Sequence, residues 1–130
     1  MSVPFEYAVL RAVPLLERGE SVNVAVLVYC QARDFLGCAG EVAPERLLAL
    51  DPAADVESVR AVLTGVRLVC SGDPRAGAAG AEPLRARFGL LTAPRSTVVQ
   101  PGPVHTGMTD DPAAELAALA ARLVAPPVAP

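Results

Sequence analysis

The chain contains no lysine: all eleven basic side chains among its 130 residues are arginines. Schiff-base chemistry and any phosphate site that depends on a lysine ammonium are therefore excluded. Histidine is nearly as scarce, with His105 alone. Metal catalysis needs three or four convergent ligands, and one histidine with scattered cysteines and carboxylates offers no recognisable spacing for them. Neither a metal nor a cofactor is expected. The three cysteines, Cys30, Cys38 and Cys70, are odd in number and set in apolar surroundings, which predicts reduced, buried thiols in place of a disulfide framework. No apolar run reaches the roughly 18 residues that a membrane span requires. Residues Met1 to Tyr7 carry Glu6 and no basic cluster, so they do not read as a signal peptide. A cytoplasmic protein away from membranes is expected. The net charge is −3 and the arginines stand singly, so the long-range attraction that draws a protein onto a phosphate backbone is missing and nucleic acid is not an expected partner.

What is present suffices for one core. Hydrophobic residues make up 52% and charged residues 19% of the chain, too apolar for a disordered segment. From Phe5 to Val13 the residues alternate in period 2, and Ser21 to Cys30 is rich in β-branched residues, so the two stretches predict a hairpin around a turn containing Arg18 and Gly19. A third strand is expected over about Phe35 to Val42, where Gly37 and Gly40 imply a bulge or a close backbone approach. Two helices then begin with nearly the same residues, Asp51-Pro52-Ala53-Ala54-Asp55 and Asp111-Pro112-Ala113-Ala114-Glu115, an aspartate cap followed by a proline at the first helical position. In the first, Val56, Val59, Val62, Leu63, Val66 and Val69 fall at helical spacing; in the second, Leu116, Leu119, Ala120 and Leu123 do. Both helices are expected on one face of the sheet. A flexible segment over Ser71 to Ala81, a short helix over about Pro83 to Leu91 and a strand over Ser96 to Gln100 complete the reading. The whole predicts an α+β domain over residues 1–124, an antiparallel sheet of three to four strands that starts with an N-terminal hairpin and is packed by two main helices. The Pro-rich tail 125–130 is expected to be disordered.

The motifs that would carry chemistry are incomplete. Gly72-Asp73-Pro74-Arg75-Ala76-Gly77 matches the first half of a phosphate-binding loop, but Ala78 and Ala79 stand where Lys and Ser or Thr are needed. A Ser or Cys nucleophile would require His105 as its base, and nothing in the order of residues brings them together; the plainer expectation is a loop histidine that hydrogen-bonds its neighbours. Glu17, Arg18, Glu20 and Asn23 cluster at the hairpin turn, where alternating charges ordinarily keep a loop hydrated. The sharper alternative is that Arg18 and Asn23 project toward Arg95, Ser96 and His105 to form a polar recess for an anionic or amide group. Arg11, which interrupts an apolar strand face, is a further candidate, with an edge-protecting charge as its plainer role.

Two longer phrases, FEYAVLRAVPLLERGESVNVAVLVYC at Phe5 to Cys30 and TAPRSTVVQPGPVHTG at Thr92 to Gly107, resemble a family of small bacterial proteins, the domain of unknown function 3037. The resemblance carries over Arg18, Gly19, Glu20, Asn23, Arg95, Ser96, His105 and Thr106 as family-like motif positions without assigning a role to any of them. It also implies a partner or accessory role beside a HipA-type, kinase-like protein. The sequence is therefore read as a non-catalytic accessory or binding protein with Arg18, Glu20, Asn23, Arg95, Ser96, His105 and Thr106 as candidate binding residues. The alternatives are a small enzyme using His105 as acid or base with Arg95 or Arg18 holding an anion, and a small-molecule sensor. An open sheet edge also allows a homodimer.

Overall fold

The computed structural model describes residues 1–127. In chain order the elements are β1 (Val3–Ala12), β2 (Val22–Cys30), β3 (Phe35–Ala39), α1 (Pro44–Leu50), α2 (Val56–Ser71), α3 (Ala78–Ala81), α4 (Leu84–Thr92), β4 (Val99–Pro101), β5 (His105–Thr109) and α5 (Pro112–Leu123). The fold is the α+β antiparallel sheet, opening on the β1–β2 hairpin, that the alternation of the first thirty residues predicts.

The sheet runs β3-β2-β1-β4, and β5 also pairs with β1, so five strands fill four positions. Leu10 faces Pro101 and Tyr7 faces His105, which sets Ala8 and Val9 of β1 against Gly102, Pro103 and Val104. The two short strands are thus one edge strand broken by an extra residue, a bulge, with the Gly102 N–H still donating to the Val9 carbonyl at 2.8 Å. The proline and glycine content of this stretch conceals β5 from a local reading, because its pairing partner lies about a hundred residues away in the chain. His105 is consequently a strand residue and not a loop histidine.

Because side chains alternate across a strand, the sheet has two distinct faces. Ala12 and Leu10 of β1 with Val22, Leu27 and Tyr29 of β2, whose phase is reset by the extra residue Val24 opposite Leu10 and Arg11, meet Leu47 of α1, Val59 and Leu63 of α2, and Phe88 and Leu91 of α4. The opposite set, Phe5 with Val26, Val28 and Cys30, meets Leu116 and Leu119 of α5 and Val124. Strand β2 is buried on both faces, which is why its sequence runs continuously apolar over Val24 to Cys30. The expectation that both aspartate-capped helices share one face is thus corrected: α2 and α5 lie on opposite sides of the sheet. Their N-termini also differ. Asp111 caps α5 by accepting from the Ala113 and Ala114 N–H groups, as its sequence predicts. For α2, however, the cap is Asp55, which accepts from the Ser58 N–H at 3.0 Å, while Asp51 ends α1 and accepts from the Ala53 N–H in a local turn.

The segment expected to be flexible is ordered by similar local bonds. Gly72 closes α2 in the left-handed region, Asp73 accepts from the Arg75 N–H, and the short α3 follows. Cys30 and Cys70 are buried and Cys38 is half-buried; all three are free thiols. Of the Pro-rich stretch 125–130, residues 128–130 lie outside the described residues, and the Ala125 N–H donates to the Ala120 carbonyl.

The third strand ends at Ala39, short of the expected Val42, and the two glycines of that stretch, Gly37 within β3 and Gly40 just past it, do separate jobs. At Gly37 a Cβ would lie 2.8 Å from Leu116, so its absence lets α5 approach β3 closely. Gly40 has φ +122°, where a side chain is strained, and a Cβ there would stand 2.7 Å from the Val24 carbonyl oxygen. Replacement Gly40→Ala is therefore expected to destabilise the protein by about 2 kcal/mol or more, read as a lowered urea midpoint at unchanged slope. A midpoint equal to that of the parent would show that this turn relaxes freely.

Candidate functional site

The residues singled out from the sequence fall into separate places. Arg18 and Glu20 are exposed at the hairpin turn and pair with each other at 2.5 Å. That hydrogen bond, and then the charge of the arginine, holds the Glu20 carboxyl below its ordinary range. His105 faces Tyr7, five residues before the end of β1, so at about 3.3 Å per residue it lies on the order of 16 Å from where the turn begins. Its ring sits against Tyr7 with centroids 5.1 Å apart, on the α5 side of the sheet. Arg95 and Ser96 are exposed just beyond α4, and Arg95 lines a cleft on the opposite side. The polar recess expected between Arg18, Asn23, Arg95, Ser96 and His105 does not form, because the sheet itself stands between Arg95 and His105. Thr106, next in the strand, points with Glu6 into a small surface recess beside Tyr29, Gln31 and Arg85.

Asn23 has a different task from the one its position suggested. Its Nδ2 donates to the Leu123 carbonyl at 2.9 Å, which ties the end of α5 to β2. Arg46 of α1 donates to the next carbonyl, Val124, at 3.4 Å. With Leu116 seated over Gly37, these bonds hold α5 above β2 and β3. The remaining part of that face, along β1 and its edge strands, carries half-buried Tyr7, Val9, Arg11 and Gln100 and exposed His105. Arg11 takes no part in the ion pairs formed among the described residues, and its guanidinium lies over Gly102, where a Cβ would be 3.0 Å from Nη2. The row across the sheet is Asn23, Arg11, Gln100, one hydrogen-bonding side chain per strand.

The opposite face holds a cleft of about 420 Å³ between α2, the end of α4 and strands β1 and β4. Its walls are Leu10, Val59, Val66, Leu91, Val99 and Pro101, and Val62 and Val98 border it at 45% and 43% exposure. The sequence signal for it was the width of the α2 stripe: Val62 extends the apolar face beyond what the sheet covers. Ser58, Thr97 and Arg95 supply the polar atoms.

Among the described residues no three of His, Cys, Asp and Glu converge as a metal site, and no helix is long and apolar enough to cross a membrane. These features define a class: a sheet layered between helices, with an apolar cleft on one face and a partly uncovered aromatic and cationic strip on the other. The chain belongs to the family described as Protein of unknown function (DUF3037), whose model matches residues 7–124. Comparison with curated proteins and with solved structures found no match.

Two of the thiols are held in their unreactive form. Burial pushes Cys38 up to about 11 and Cys70 up to about 12, so both remain protonated at neutral pH. At pH 8, alkylation in the folded protein is expected to be slower than that of a free cysteine by about 100-fold at Cys38 and about 1,000-fold at Cys70, and to reach the ordinary rate in guanidinium. Because the folded values are raised, the associated stability is complete below about pH 9 and is lost as the pH climbs toward 11 to 12. Rapid labelling of Cys38 or Cys70 in the native state at pH 8 would contradict this burial.

Proposed function

We propose that this chain is a non-catalytic accessory protein of the cytoplasm that docks a protein partner on the uncovered strip of its sheet. The observation that carries the reading is the half-cover by α5: Tyr7, Val9, Arg11, Gln100 and His105 share one face, next to a helix that stops one strand short of them. Aromatic and arginine side chains on a firm sheet are the groups that contribute most at protein interfaces, because they bury much area with little loss of side-chain freedom. Charge selects the occupant. The strip presents Arg11 as its cation and no carboxylate, which complements an amphipathic segment whose polar side is acidic. The family resemblance points to a kinase-like protein as the bearer of that segment. Arg18 and Glu20, already paired with each other, lie at the turn beyond the strip and are peripheral to this reading.

Calorimetric titration with the purified kinase-like neighbour tests it. One partner per chain is expected to bind, with affinity reduced at least tenfold, about 1.4 kcal/mol, by Arg11→Glu and by His105→Ala while the melting temperature stays within a few degrees of the parent. Absence of binding by the parent chain, or wild-type affinity in both variants, would overturn the proposal. A symmetric dimer in light scattering that Arg11→Glu dissolves would overturn it too, assigning the strip to a second copy of this chain.

A further inference from the structure

We infer that the cleft between α2, α4 and β4 is a second binding site, for a small organic acid with an apolar body and one carboxylate. It lies on the other face of the sheet from the partner strip and does not depend on that reading. The volume of about 420 Å³ falls in the range of small-molecule pockets, roughly 300 to 1,000 Å³. Leu10, Val66, Leu91 and Val99 line it with hydrocarbon, so each methylene that a ligand buries there adds to its affinity.

The rim decides the charge of the ligand. Ser58 spends its hydroxyl proton on the Asp55 carboxylate at 2.6 Å, and Thr97 spends its own on the Val99 carbonyl at 2.8 Å. Arg95 is different. Its Nε donates to the Ala93 carbonyl at 3.3 Å and its Nη2 to the Leu90 carbonyl at 2.5 Å, so the C-terminal end of α4 grips one side of the guanidinium. The Nη1 group takes no part in those bonds. A guanidinium already held in place loses little freedom on binding, and its remaining N–H groups suit a carboxylate oxygen. An apolar wall with one fixed cation at its mouth selects an amphipathic anion over a neutral hydrocarbon, and over a polyanion that the apolar walls would desolvate at a cost.

The test uses decanoate and its uncharged counterpart decanol, below their aggregation limits, with the full chain. Decanoate is expected to bind and to shift the methyl resonances of Leu10, Val66 and Leu91 but not those of Val26 and Val28 on the opposite face. Arg95→Gln is expected to weaken decanoate at least fivefold and to leave decanol unchanged, and Val62→Glu, at a half-exposed position on the border, to abolish both. Melting curves of the two variants check that the fold persists; should Val62→Glu unfold, Val62→Ser replaces it and is expected to weaken both ligands. No binding of decanoate, shifts confined to other residues, or equal loss of decanoate and decanol in Arg95→Gln would each overturn the assignment.

Discussion

Everything in this molecule hangs on strand β1, which is hydrogen-bonded along both of its edges. On one side it pairs with β2 through a hairpin that chain proximity makes inexpensive to close. On the other it recruits β4 and β5 from the far end of the chain, and this pairing carries the larger loop-closure cost. The Val13 N–H extends the edge by donating to Val98, so even the entry to the hairpin turn is fixed by the distant segment. Without those contacts the edge of β1 would present unpaired backbone groups, and the stretch after α4 would have no reason to be extended.

From that strand follow two faces with different degrees of cover. On one, α1, α2 and α4 enclose a core around Leu27, Leu47 and Leu63, and the helices fail to meet at the β4 end, which creates the apolar cleft. On the other, a single helix is anchored toward β3 by Leu116 over Gly37 and by Asn23 beneath its last turn. One helix of about 10 Å diameter spans roughly two strands at 4.8 Å spacing, so a four-position sheet under one helix must leave strands open. The cationic and aromatic groups of β1 stand in that opening. Geometry, more than any single reactive residue, is what the proposed docking surface rests on.

Local signals in the sequence were faithful where the governing physics is local. The alternation from Phe5, the β-branched run ending at Cys30, the cap at Asp111 and the helix following Pro83 all report interactions within a few residues, and each element is present. Asp51 misled because an aspartate before a proline serves a turn as well as a cap, and only the placement of α1 tells which. His105 looked like a loop residue because the prolines at 101 and 103 interrupt any periodic pattern; its strand exists through pairing with Val3 to Tyr7. The recess imagined between Arg18, Arg95 and His105 failed for a related reason. Sequence proximity to turns said nothing about which side of the sheet each residue would occupy.

The sequence by itself determined the α+β class, the hairpin, the free state of the thiols with the burial of Cys30 and Cys70, and the exclusion of lysine chemistry, since composition and short-range periodicity encode these directly. Only the tertiary structure decided which strands share β1, that the two long helices lie on opposite faces, and that Arg11 and Arg95 stand on different sides of the sheet. Those outcomes depend on contacts between residues about a hundred positions apart, where the energy of burial and edge pairing is collective and no local pattern carries it.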